Sequence, residues 1–323
     1  MRCLVIGSSV IDFFSTVSSK EHVSVSNDSV TFQLGDKIPV QIKKHAFGGN
    51  GMNAAIGLNL LDIPTTFYTY LGSDSFSHEI EAVLKKKAVD TISEKGGDSS
   101  DMSYILDLAD DRIIFSHHPV RDHGFQAPDE TLFDYIFLSS IGDKWTDAYA
   151  QVLTYALYSG IPIVFSPGSR QLSHIDDTFF SILHQSKFLL LNRDEGSRIL
   201  KSFGTQFTDI TSLCQGLAQL GPQIISLTDG GDGAYAYYQG EMYHISSFSS
   251  EKAPEKTGAG DAYASGFLAG LLTTDSIQEA MRWGSLNAHS VMQEIGAQDG
   301  LLPKEKLLQL LEKHGTFMAE KLQ

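Results

Sequence analysis

Lys256-Thr257-Gly258-Ala259-Gly260-Asp261 sets three small residues and then a carboxylate where an apolar helical pattern begins. Glycines there let bare backbone N–H groups approach an anion, and the helix start adds its positive dipole end. Asp261 would stand within reach of a bound phosphate, able to hold or accept the proton of an attacking hydroxyl. A tight turn followed by a first-turn cap is the plainer reading of the same six residues. A second cluster far upstream, Gly48-Gly49-Asn50-Gly51-Met52-Asn53-Ala54-Ala55, also opens an apolar helical run. Two such loops in one chain ask for one explanation.

Between them, short apolar runs alternate with longer helical patterns. Cys3–Ile6, Thr66–Tyr68, Tyr135–Leu138, Ile161–Phe165, Phe188–Leu191 and Ile224–Leu227 read as buried strands of a parallel sheet joined by crossover helices. Ser276-Ile277-Gln278-Glu279 has the form of a capping box opening a helix that runs to about Gln293, and Pro303 suits the first turn of a last helix. Two segments break the alternation. Residues 13–46 carry Val23–Val25, Val30–Leu34 and Ile38–Ile42, and residues 102–118 carry Tyr104–Leu106 and Arg112–Phe115. These read as short hairpins, too small to bury a core alone, which predicts that they pair as a small sheet beside the main body.

The two glycine clusters resemble the two signatures of the ribokinase-like (PfkB) carbohydrate kinase family. Gly48, Gly49 and Asn53 followed by Ala54-Ala55 match the first signature, and Thr257–Asp261 followed by Ala262-Tyr263 match the second. The resemblance extends from Gly7 and Asp12 to about Gly296-Ala297, and it takes in Asn192–Glu195 and Thr228–Gly233 in the family's order. It implies a three-layer α/β/α sandwich with a mainly parallel central sheet and a small β-sheet lid. Residues 1–12, 47–101 and 119–323 would form the large domain, and 13–46 with 102–118 the lid.

The implied activity is ATP-dependent, Mg²⁺-assisted phosphorylation of a hydroxymethyl group on a small sugar. Asp261 would be the base and the Gly258, Ala259 and Gly260 amides the anion hole. Asp12, Gly48, Gly49 and Asn53 would hold the sugar, and Asn192, Thr228, Gly230, Gly233 and Asn287 the nucleotide. Glu195 would reach Mg²⁺ through water. A helix N-terminus lowers a carboxylate's pKa, which sits awkwardly with a strong base, so Asp261 is expected mainly to orient the hydroxyl. Relatives acting on phosphosugars or ribose often carry Lys where this chain has neutral Asn50, which favours an unphosphorylated, uncharged sugar. Phe165–Gln171 is similar to nucleoside-kinase members, so a nucleoside kinase of the same fold is the alternative. A sugar-responsive binding protein without catalysis is the second. Glu255 and Lys256 depart from the family's usual Asp and small hydroxyl residue, which leaves activation by a monovalent cation open and makes Lys256 a candidate positive charge near the phosphates.

Composition fits this reading. The chain has 323 residues, a net charge of −15 and a hydrophobic fraction of 42%. That charge argues against a nucleic-acid-binding stripe, which needs clustered Lys and Arg. The two cysteines, Cys3 and Cys214, give neither a disulfide framework nor metal-ligand spacing. The run Cys3–Ile6 is too short for a signal peptide, and no stretch reaches the length of a membrane span. We therefore expect a cytoplasmic protein; the resemblance, which includes members that dimerise through the lid, implies that any homodimer forms there. His117, His118 and His123 are read as a polar lid edge rather than a metal site.

Overall fold

The computed structural model describes residues 1–18, 23–26, 29–97, 99–108, 111–128, 132–249 and 256–322. Glu255, and with it the question of the monovalent cation, lies outside them. Apolar runs with period two give a sheet because successive side chains of a strand point to opposite faces. In β1 (Cys3–Ile6), Cys3 and Val5 enter one core cluster while Leu4 and Ile6 enter the other. The same division holds in β10 (Tyr135–Ser139), β11 (Ile163–Ser166) and β12 (Ser186–Asn192), where Phe137, Val164, Phe188 and Leu190 face the first cluster. Ile136, Leu138, Ile163, Phe165, Leu189 and Leu191 face the second.

Those strands, with β6 (Thr65–Leu71), β7 (Asp90–Lys95) and β13 (Ile224–Thr228), form the parallel part of the main sheet. Antiparallel β14 (Ala234–Tyr238), β15 (Glu241–Ile245) and β16 (Glu320–Lys321) extend one edge, giving the order β16-β15-β14-β13-β12-β11-β10-β1-β6-β7. On the first face lie α1 (Asn50–Leu60), α2 (Ser75–Lys86), α8 (Ala259–Thr274), α9 (Ile277–Val291) and α10 (Lys304–Lys313). The opposite face is covered by α3 (Thr146–Ser159), α4 (Ser169–Ser173), α5 (Asp177–Gln185), α6 (Arg193–Ser202) and α7 (Ile210–Gln219). The expected three-layer sandwich is therefore present. Strand order reverses between β1 and β10, and in such sheets ligands collect in the crevice beyond the carboxyl ends of the strands at that point.

A separate four-stranded sheet has the order β5-β2-β8-β9, with β2 (Val10–Val17), β5 (Val40–Gly48), β8 (Asp101–Leu108) and β9 (Asp111–His117). Its organisation differs from the expected pair of hairpins. The chain enters it directly after β1 through β2, and β2 pairs with β8 in parallel. The mixed run Asp12-Phe13-Phe14-Ser15 concealed that strand, since its polar and aromatic residues do not alternate. The expected strands near residues 23–34 form their own two-stranded ribbon, β3 (Val23–Ser26) with β4 (Ser29–Phe32). Ser276 caps α9 by accepting from the Glu279 amide at 3.3 Å, but Glu279 itself turns to Arg282, so only half of the expected capping box forms.

Candidate active site

Small residues behind each glycine loop decide how the loops meet. A Cβ on Gly57 of α1 would stand 2.3 Å from the Ser265 hydroxyl of α8, so the missing side chain lets the two helices approach. Ala54, Ala55 and Ala262 are fully buried in the same core. The start of α1 is pressed onto the end of β1 in the same way: a Cβ on Gly7 would lie 2.6 Å from Gly51 Cα. Gly49 precedes α1 with φ +99, where a side chain would meet the Ser8 carbonyl oxygen at 2.5 Å. Only glycine fits that corner.

The two helix starts consequently face each other. Asn53 Nδ2 donates to Asp261 Oδ2 at 2.8 Å, and Asn50 Nδ2 donates to Asp261 Oδ1 at 3.1 Å. Residues 208 and 211 positions apart in sequence thus share one carboxylate. Asn50, read from sequence only as a neutral residue facing substrate, is a partner of the candidate base. Asp261 has its pKa pushed up to about 7, chiefly by burial and further by the nearby Glu195, against the opposing pull of the two amide hydrogen bonds. This corrects the expectation that the helix dipole would hold the group low: desolvation outweighs it, and the group exchanges its proton near neutrality.

Around it, Gly258 caps α8 with φ +79, and a Cβ there would lie 2.5 Å from Ala297 Cβ. Gly260 has no heavy atom within 4 Å of its Cβ position, so the face expected to meet an anion is open. The Ala259 amide is spent on the Lys256 carbonyl at 3.3 Å. Of the three expected amide donors it is the one already occupied. Asp12, 5% exposed on β2, leans over Gly48, where a Cβ would meet its Oδ2 at 2.3 Å. The expected sugar-side residues therefore share one corner at the carboxyl end of β1.

Nucleotide-side residues divide. Asn192 and Thr228 are register partners at the ends of β12 and β13. Asn192 also accepts from the Glu195 amide at 2.9 Å while Glu195 Oε2 accepts from the Asn192 amide at 2.9 Å, a complete capping box for α6. Burial, more than its neighbours, raises the Glu195 carboxyl above its ordinary pKa. Gly230 projects into open space, whereas Gly233 (φ +91) is required by the turn itself, since a Cβ would meet the Ile245 carbonyl at 2.0 Å. Asn287, expected beside adenine, is fully buried. Its amide donates to the Ala262 carbonyl at 2.8 Å and accepts from the Leu302 amide at 3.0 Å, so it braces α8 and α9 and has nothing left for a nucleotide.

His117 lies exposed on β9, an edge strand of the small sheet, as expected, whereas His118 and His123 are engaged elsewhere. His118 Nδ1 lies 2.7 Å from Asp101, which also pairs with buried Arg121 at 2.8 Å. His123 is buried against Tyr70, and that burial lowers its pKa, so it is no lid-edge residue. In Phe165–Gln171, Arg170 pairs with Asp143 and Gln171 Nε2 donates to the Ile141 carbonyl at 3.0 Å.

Because Glu195 raises the Asp261 pKa through its charge, Glu195→Gln should keep the capping box, which Gln also makes, and lower the Asp261 midpoint. The acid limb of kcat/KM against pH would move down. An unmoved limb would remove Glu195 from the electrostatics of the base.

The family model described as "pfkB family carbohydrate kinase" matches residues 2–305. The 5-dehydro-2-deoxygluconokinase of Bacillus subtilis is 26% identical over 286 residues, covering 82% of this chain and 86% of that protein. The structure of Arabidopsis thaliana ribokinase complexed with ribose and ATP superposes with a TM-score of 0.78 at 19% identity, covering 96% of this chain and 98% of that one. The nucleoside kinase of Methanocaldococcus jannaschii, a ribokinase-family structure, gives 0.74 at 19% identity over 97% of this chain and 98% of that one.

Proposed function

The chain belongs to the pfkB family of carbohydrate kinases, and from that premise we propose that it moves the terminal phosphoryl group of ATP onto a hydroxymethyl group of a small, unphosphorylated sugar or sugar acid. The observation that carries the reading is the double amide clamp of Asn50 and Asn53 on an Asp261 whose pKa lies near neutrality. Such a carboxyl group is ionised often enough to receive the hydroxyl's proton and basic enough to keep it during transfer. The gluconate-derived substrate in the name of the Bacillus subtilis relative is the reason acidic sugars belong to the proposed substrate class.

Open space at Gly260 and Gly230 fits the phosphates of a nucleotide. Among the described residues no group of three or more His, Cys, Asp or Glu side chains could hold a metal by itself. Mg²⁺, which usually keeps several waters, would be held by Glu195 through water and would neutralise charge on the phosphates. When bound, Mg·ATP supplies the phosphoryl group. Asp261 takes the proton of the attacking hydroxyl, and the Gly258 and Gly260 amides donate to charge building on the phosphoryl oxygens. Asp12 and Asn53 fix the acceptor by hydrogen bonds to its other hydroxyls. The four-stranded sheet that carries Asp12 and Gly48 is proposed as the lid, excluding water that would otherwise hydrolyse ATP.

A panel of sugars, sugar acids and nucleosides assayed for acceptor-dependent ADP formation tests this reading. Turnover should appear with a sugar or sugar acid. Turnover confined to nucleosides would transfer the chain to the class of the Methanocaldococcus jannaschii relative, a reading favoured by the segment Phe165–Gln171.

A further inference from the structure

An Asn side chain offers two nearly isosteric ends, and only the nitrogen end can donate to a carboxylate. Something must therefore decide which end of Asn53 faces Asp261. Gln298 Nε2 donates to Asn53 Oδ1 at 3.1 Å, while Asn53 Nδ2 donates to Asp261 Oδ2 at 2.8 Å. Turning the Asn53 amide over would set oxygen against the ionised carboxylate and N–H₂ against N–H₂ at the same time. Asn53 is 3% exposed and Gln298 7%, so water is poorly placed to relieve either clash.

The backbone around Gln298 is held in place. Its neighbour Ala297 packs against Gly258, in the same loop that carries the base. Lys44 of β5 donates to the Ile295 carbonyl at 2.5 Å and pairs with the Asp299 carboxylate, closing the segment from the other side. The Leu301 amide donates to the Gln298 carbonyl at 3.2 Å.

We propose that Gln298 is a positioning residue for the reaction, locking the Asn53 amide so that its N–H₂ end, and never its oxygen, is presented to Asp261. The inference takes Asp261 as the base from the proposed function. Gln298 touches no reacting atom in this role and acts through Asn53. Among the described residues, Asp261 meets the amides of Asn50 and Asn53 from α1 and feels the charge of Glu195 from α6. Lys44 and Asp299, on the segments flanking Gln298, are engaged with each other. With the lock in place an N–H always favours ionised Asp261. Without it the amide can reverse and its oxygen can accept from the protonated form, so proton loss becomes harder.

The test reads the Asp261 carboxyl directly, without turnover. In protein carrying ¹³C-carboxyl aspartate, the Asp261 resonance is identified by its disappearance in Asp261→Asn and followed against pH. Gln298→Met keeps the length and removes the donor. It should raise the Asp261 midpoint by about half to one pH unit, the worth of one hydrogen bond. In an Asn53→Ala background the same substitution should move nothing, because the element through which it acts is gone. Gln298→Glu, nearly isosteric and able only to accept, serves if Gln298→Met folds poorly. Its rise should be larger with Asn53 present than absent. An Asp261 midpoint unchanged in Gln298→Met, or shifts of equal size with and without Asn53, would overturn the proposal. A wild-type protein that phosphorylates nothing would instead sink the functional reading, and the titration would still judge the relay.

Discussion

Asp261→Asn should lose about 10²- to 10⁴-fold in turnover, the usual size of a general base, while nucleotide affinity measured by calorimetry stays near the wild-type value. The same substitution should change stability in the opposite direction. A carboxyl whose folded pKa is raised from 3.8 to about 7 prefers its protonated form in the folded state. Below both values the folded and unfolded chains hold the proton equally, and the group costs nothing. As pH rises from about 4 to about 7 the unfolded chain ionises freely and the folded one does not, so the wild type loses stability across that window. The loss amounts to a few kcal/mol, at roughly 1.4 kcal/mol for each pH unit separating the folded and unfolded midpoints. Asn carries no such ionisation penalty and loses only the acceptor of one of the Asn50 and Asn53 amides, worth about 0.5–1.5 kcal/mol. Melting temperatures of the two proteins should converge near pH 4 and separate above pH 7, with the variant higher. A wild type as stable as the variant at pH 8 would show that the carboxyl ionises freely, and near-normal turnover by the variant would end its role as base.

Gly258→Ala and Gly260→Ala, two residues apart, should fail in different ways. At Gly258 the backbone lies at φ +79 and a new Cβ would overlap Ala297, so alanine there stores strain of about 1–3 kcal/mol before the steric clash is added. The denaturation midpoint should fall, and activity with it, because Ala297 carries Gln298 on its far side. Gly260 is helical with empty space around its Cβ position, and alanine is the better helix former by about 1 kcal/mol. Stability should hold or rise. Affinity for ATP should drop, because the methyl group occupies the space proposed for phosphate. A fully active Gly260→Ala protein would remove this glycine from the anion site, and an unstrained Gly258→Ala protein would contradict the packing that joins the two loops.

Which of these features could be read from the chain follows from the range over which each is determined. Buried parallel strands such as Phe188–Leu191 announce themselves because both faces are apolar. The loops at Gly48 and Gly258 do so because close backbone approach demands glycine at fixed offsets. Strand β2 is hidden because Asp12 is a buried carboxylate against Gly48 and Phe13 packs on His45, so neither follows a simple alternation. The pKa of Asp261 is not legible locally, because the local sequence shows only a helix start, whereas burial and Glu195 arrive through tertiary structure. Gln298 carried no local signal at all: its partner Asn53 lies 245 positions away. Asn287 fits a family position and yet is consumed by helix packing, a distinction that only its hydrogen bonds reveal.

The two converging loops are proposed to deliver a phosphoryl group to a primary alcohol beside Asp261. Proton-coupled ³¹P NMR of the protein with Mg·ATP and its best acceptor tests this most directly, since phosphate on a CH₂–O group couples to two protons. A new phosphomonoester triplet should grow in step with ADP and be absent with Asp261→Asn. Inorganic phosphate as the sole product, or a doublet marking transfer to a secondary hydroxyl, would contradict it.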